Sequence, residues 1–190
     1  MSVPAVRRAD LVMDDAAARE LLNSAYCGRL ATVGEDGWPY CLPLLYVVTD
    51  DCVYLHNAAA RGHLRRNIEH EARACFAIDE PGQVYGYGRY ECDSSLSYRS
   101  VLVFGTVRVV EEEQEKRRFC TALMDKYGRE IEGGEDRPRD FFPRLEAIAV
   151  YALRIERISG KHIALPAAQA QWPQLDRTKS PGAAAPAGTP

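Results

Sequence analysis

Residues 53–76, VYLHNAAARGHLRRNIEHEARACF, change character twice within 24 positions, and their reading decides the fold. Val53, Tyr54 and Leu55 are strand formers, and they deliver His56 to a run of small residues, Asn57 to Ala60. A helix is expected from near Arg61, and Arg73 to Ile78 read as the next strand. A strand, a tight break and a helix headed by Arg61, Gly62 and His63 make an anion site plausible on physical grounds. The first amides of a helix have no internal acceptor, and its dipole favours negative charge there. Residue chemistry leaves a second reading equally open. His56 can be a strand-end histidine, and Arg61, Arg65 and Arg66 the solvated face of a surface helix.

Working outward, the N-terminal side supplies a helix and two strands. Residues 1–12 read as an extended arm. Asp14 or Asp15 can cap a helix through Leu21 and Leu22 to about Asn23. Gly28 to Val33 read as a strand, and Asp36-Gly37 offers the positive φ that a short hairpin requires. The next strand, Trp38 to Thr49, contains Pro39 and Pro43, which cannot donate to a ladder, so it belongs at a sheet edge. Asp50-Asp51 turns the chain into the quoted stretch.

On the C-terminal side, Asp79 to Gly82 read as a turn, and Gln83 to Asp93 as either a bulged strand or a loop. Ser97 to Val110 alternate as one long strand. A helix follows Glu111, with acids first, bases a turn later, and a buried stripe of Phe119, Leu123 and Tyr127 before Gly128. Residues 131–139 read as a loop, and Glu146 to Ile158 as a final strand closed by Ser159-Gly160-Lys161. The segment 164–190 reads as a tail, disordered over its last dozen residues. Six or seven strands joined mostly by tight turns favour an antiparallel β-barrel with flanking helices, carried by residues 13–163.

Composition narrows the function classes. The 190 residues, 46% hydrophobic and 27% charged, suit one ordinary domain. A net charge of -3 gives no general attraction to nucleic acid or anionic lipid. No apolar run has membrane length and no secretory leader is evident, so a cytoplasmic location and no membrane partner are expected. The six cysteines lack zinc-site spacing, so no metal site is expected. Cys41, Cys52, Cys75 and Cys120 lie in apolar runs and read as small buried hydrophobes.

The order of features resembles the FMN-binding split-barrel family related to pyridoxamine 5′-phosphate oxidase, in the branch of the nitroimidazole-resistance (Nim) flavoproteins. The matching pieces are Gly28-Arg29-Leu30-Ala31-Thr32, Gly37-x-Pro39, Pro43, His56, Gly62-His63 with Asn67, and Tyr98-Arg99-Ser100-Val101 leading to Gly105. The resemblance covers about residues 10 to 162. It implies a six-stranded split barrel that forms a homodimer with FMN in each of two interfacial grooves. It places the FMN phosphate on His56, Arg61 and His63, and the flavin ring against Leu42, Pro43, Leu44 and Leu45. Ser100, beside Arg99, takes the position that reaches the flavin from the long strand. Two departures stand out. Leu64 replaces the lysine many relatives carry at the helix start, and Leu42 replaces the arginine with which the vitamin oxidase grips its substrate.

The implied activity is electron transfer from NAD(P)H or another donor, through FMN, to a small planar organic acceptor such as a nitroaromatic or quinone. Tyr85, Tyr87, Tyr90 and Trp172 are candidates to border that substrate, or else core or interface aromatics. A flavin- or haem-binding storage module is the alternative, with a relative using the deazaflavin F420 behind it.

Overall fold

The computed structural model describes residues 5–87, 92–128 and 144–167. Helix α1 spans Asp15–Ser24 and is followed by strands β1 (Gly28–Val33), β2 (Pro39–Leu44), β3 (Tyr46–Thr49) and β4 (Cys52–Ala58). Then come α2 (His63–His70), β5 (Arg73–Gly86), β6 (Ser94–Val110), α3 (Glu113–Tyr127) and β7 (Ile148–Ile163). All pairings are antiparallel, in the order β2-β1-β5-β6-β7-β4-β3. The two edge strands, β2 and β3, are consecutive in the chain and separated only by Leu45. A sheet whose opposite edges are tied by one residue must curl on itself, which gives a barrel open along the β2/β3 seam.

This seam corrects one expectation. The single strand expected from Trp38 to Thr49 is divided at Leu45, so the barrel has seven strands rather than six. The physical reason is the same one that put this strand at an edge: prolines at 39 and 43 leave ladder positions without a donor. The turns behave as their residues require. Gly37 has φ +79°, and Asp50 and Asp51 have φ 51° and 57°, the left-handed pair of a two-residue hairpin.

Strand periodicity divides the side chains between two cores. Inside the barrel lie Leu30, Tyr46, Leu55, Phe76, Val101 and Leu153, sealed by Leu21 and Leu22 of α1 and Leu64 and Ile68 of α2. Each such side chain, fully buried, contributes about 1.5–3 kcal/mol. The second core lies outside, where α3 sets Phe119, Cys120 and Tyr127 against Val47, Tyr54 and Val150. The stripe expected on α3 therefore faces the barrel, with Leu123 partly buried beside it.

Four strands differ in extent from their sequence reading. β4 runs on through Asn57 and Ala58, read as the start of the break, because Ala149 and Ile148 of β7 pair with them. β5 runs through the turn expected at Asp79 to Gly82, absorbing it as a bulge between Pro81 and Val84. Ser97 makes this possible, because its Oγ accepts from the Gln83 N–H at 2.8 Å. β6 starts at Ser94, where its pairing with β5 begins at Gly86. β7 continues through Gly160 to Ile163, since the paired length of β6 offers it a template. Gly105 is where β6 meets a bulge in β7; a Cβ there would stand 1.8 Å from the Arg154 carbonyl oxygen. The cysteine expectation holds fully only for Cys120. Cys52 and Cys75 are half-buried, and Cys41 is exposed because it faces outward from an edge strand.

Candidate functional site

The head of α2 is built by its capping geometry. Gly62 occupies the N-cap without a side chain to bond the first amides, so the N–H groups of the opening turn keep their outward direction. Leu64, Asn67 and Ile68 hold the helix in place from below. Asn67 Nδ2 donates to Thr32 Oγ1 at 3.1 Å, fixing α2 to β1. Leu64, the departure from the lysine of relatives, is 2% exposed in the inner core and serves as an anchor.

This docking sets the first turn of α2 beside β2. The His63 and Tyr40 rings are 5.9 Å apart. Tyr40, Leu42 and Leu44 turn toward the barrel interior, while Pro39, Cys41 and Pro43 face outward and Leu45 marks the seam. As an edge strand, β2 pairs with β1 on one side only. Of the residues singled out from sequence, His63 thus stands beside the start of β2, and Leu42 to Leu45 follow along that strand toward the seam.

The other candidates are placed differently. The His56 ring lies 5.5 Å from that of Phe119, on the α3 side of the sheet, not among the inner residues that carry α2. Its Nδ1 is buried without a hydrogen-bond partner, and burial lowers its pKa. Arg61 Nε and Nη2 both donate to Glu69, at 2.9 and 2.5 Å, and Arg65 Nε also donates to Glu69, at 2.6 Å. Arg99 is paired with Glu80 at 2.5 Å. Ser100 sits opposite Asp79 of β5 and Lys161 of β7. Tyr85 and Tyr87 make a T-shaped pair at 6.4 Å on the β5–β6 hairpin. Tyr90, Trp172 and the 131–139 segment lie outside the described residues.

Sequence reasoning read Arg66 only as part of a solvated helix face and not as a site residue. Its Nη2 lies 3.1 Å from His63 Nδ1, and Nη1 donates weakly to the Arg61 carbonyl at 3.4 Å. A guanidinium has only donors, so His63 Nδ1 is the acceptor and the imidazole carries its proton on Nε2. Arg66, with His63 and His70, borders a cleft of about 460 Å³ closed on its far side by the β1–β2 turn. The signal was the spacing 63, 66, 70, one helical face.

Among the described residues no helix is long and apolar enough to cross a membrane, and no group of three or more acidic, His or Cys side chains could hold a metal ion. No curated relative matches the chain. Its fold is similar to several solved structures. One is a candidate 5-nitroimidazole antibiotic resistance protein from Bacteroides thetaiotaomicron, 19% identical with TM-score 0.63, over 80% of this chain and 86% of that one. A second is the flavocytochrome Anf3 from Azotobacter vinelandii, 22% identical with TM-score 0.72, over 85% and 73%. A third, described as an FAD and heme binding protein from Mycobacterium smegmatis, is 24% identical with TM-score 0.67, over 81% and 74%. The family model for pyridoxamine 5′-phosphate oxidase matches residues 14–162, from the cap of α1 to the end of β7. On that match, with the seamed antiparallel barrel that accompanies it, the chain belongs to the pyridoxamine 5′-phosphate oxidase-like family of split barrels.

Proposed function

We propose that the protein is an FMN-binding oxidoreductase, a homodimer that passes electrons from NAD(P)H or another donor to a small planar acceptor such as a nitroaromatic or quinone. The observation that carries this reading is the juxtaposition of the α2 head with edge strand β2, marked by the 5.9 Å approach of His63 to Tyr40. One element offers donors to a phosphate. The other offers unpaired backbone groups to the polar rim of a flat ring. The family membership and the FAD named for a structural neighbour favour a flavin of some kind.

The residues fit FMN unequally. His63 Nε2–H and the first amides of α2 suit the phosphate. Arg61 joins them only by leaving Glu69, and His56, turned to Phe119 on the α3 side, does not face the phosphate. Leu42 to Leu45 hold the ring. When bound, FMN supplies the redox chemistry, and the chain has to bind it, orient it and limit solvent access.

Ser100 and Arg99 argue for the second copy. They lie on β6, three strands from β2, roughly 14 Å across the sheet, so they reach a flavin at β2 only from another chain. The outer face between them carries the Arg29–Asp79 ion pair, at 2.6 Å, beside open apolar ground: Val33 and Leu102 are 41% and 38% exposed, and Cys41 is exposed nearby. The test is a preparation of the purified protein. It is expected to sediment as a dimer, to show the two visible absorption bands of a flavin, and to bleach with NAD(P)H and recover with a nitroaromatic. A Soret band, or a colourless monomer indifferent to added FMN, contradicts the proposal.

A further inference from the structure

Two clefts meet at the end of the barrel where α2 passes into β5. The first is the polar cleft beside α2. The second, of about 550 Å³, wraps round the β1–β2 turn onto the outer face of the sheet and is lined by Val33, Pro39, Cys75 and Phe104. Gly34, Glu35 and His70 belong to both. The combined hollow is therefore graded: guanidinium and imidazole at one end, a carboxylate in the middle, an apolar slot at the other.

We propose that this hollow binds the adenosine 5′-diphosphate part of a dinucleotide. Arg66 supports the phosphate end by contrast with its neighbours. Arg61 and Arg65 are both spent on Glu69, whereas Arg66 has no carboxylate partner among the described residues and is exposed over the cleft. His63 and His70 flank it on the same helical face, which extends roughly 10 Å between them. That length accommodates two phosphates in sequence.

The middle of the hollow suits a ribose. Asp36 Oδ1 accepts from the Trp38 N–H at 3.0 Å and is committed to its turn. Glu35 is exposed at the junction and free to accept from the sugar diol, as acidic side chains do in nucleotide sites. The floor there is a glycine for a reason: a Cβ on Gly34 would stand 2.7 Å from Asp36 Oδ1 and 3.2 Å from Asn67 Oδ1. The slot beyond offers a purine base the apolar side chains of Val33, Pro39 and Phe104, with the Arg73–Glu71 ion pair also on its lining, and its volume is that of a small-ligand pocket. The slot lies at the margin of the face assigned above to the second copy, which would roof it.

Two sources carry this chemistry: FAD in place of FMN, with His63 on its flavin-side phosphate, and the nicotinamide dinucleotide donor, which would use Arg66 and His70 with His63 left to FMN. In either case the molecule's role rests on the flavin reading, while the site itself does not.

The experiment is calorimetric titration of the full-length protein with ADP, adenosine and inorganic pyrophosphate. ADP is expected to bind more tightly than either of the others. Arg66→Ala is expected to weaken ADP about ten-fold, the value of one charge-assisted bond, and to leave adenosine unchanged. Val33→Trp, which fills the slot, is expected to weaken ADP and adenosine together. Because Val33 and Arg66 are exposed in the single chain, both variants are expected to fold, checked by an unchanged melting temperature and, for Val33→Trp on the face given to the second copy, by an unchanged sedimentation coefficient. Failure of ADP to bind, equal binding of pyrophosphate and ADP, or an Arg66→Ala variant with unaltered ADP affinity overturns the proposal. Binding of ADP by a protein that ignores FMN upholds this site and defeats the flavin reading instead. Competition of ADP with FAD assigns the site to the cofactor, and competition with NAD(P)H alone assigns it to the donor.

Discussion

Lys126, in the last turn of α3, has its Nζ buried without a hydrogen-bond partner, 3.8 Å from the centroid of the Tyr46 ring. Burial pushes the amine from 10.5 down to about 8. Between those two values the unfolded chain holds a proton that the folded chain has released, so stability rises with pH across that window. Below pH 8 both states are charged and the penalty stands in full. Lys126→Met is therefore expected to stabilise the protein by about 1 kcal/mol at pH 7, after loss of the cation–π contact. The gain should shrink to nothing by the ordinary lysine value, as thermal melts at a series of pH values will read. A pH-independent gain would mean that the amine stays charged in the fold. No local pattern in the sequence announces this residue, because its burial depends on where α3 docks. His56 repeats the lesson within the site. Its place late in β4 was legible, but strand parity turned it toward Phe119 rather than toward α2.

At the scale of elements, α3 is locked to the sheet by a buried carboxylate. Glu115, 8% exposed, accepts from Tyr54 Oη at 2.7 Å and from Arg108 Nη2. The Arg108 guanidinium foremost, with the Tyr54 hydroxyl, holds its carboxyl below the usual glutamate range. Glu115→Ala leaves the buried Tyr54 hydroxyl without an acceptor and should cost about 2–4 kcal/mol by urea denaturation. The wild-type advantage should be present above the ordinary glutamate pKa and fade as pH falls through the lowered one. A second lock is the Tyr127 hydroxyl, which lies 2.8 and 2.9 Å from the carbonyl oxygens of Tyr26 and Tyr46 and accepts from the Tyr46 N–H at 3.3 Å. It occupies the free edge of β3. The proline-bearing strand was readable as an edge, because missing donors are a local property. Its division at Leu45 was not, since that depends on β3 leaving β1 to pair with β4. The extensions of β5 and β7 were hidden for a like reason: a glycine or proline reads as a stop until a long partner strand holds it in register.

The whole molecule places its candidate corner where chain-distant pieces converge, strand β2 from one half of the barrel and the head of α2 from the other. The order of strands and turns made this barrel legible in outline, while the side-chain partners that decide between Arg61 and Arg66 required the assembled helix. In the proposed function this corner grips a flavin by its phosphate. Fluorescence titration of the protein with FMN and, in parallel, with riboflavin tests it most directly, since the two ligands differ only in that group. Charge-assisted bonds of about 1.5–3 kcal/mol each predict FMN affinity at least ten-fold above that of riboflavin, with the margin narrowed by His63→Ala. Equal affinities for the two ligands, or a margin untouched by His63→Ala, would contradict it.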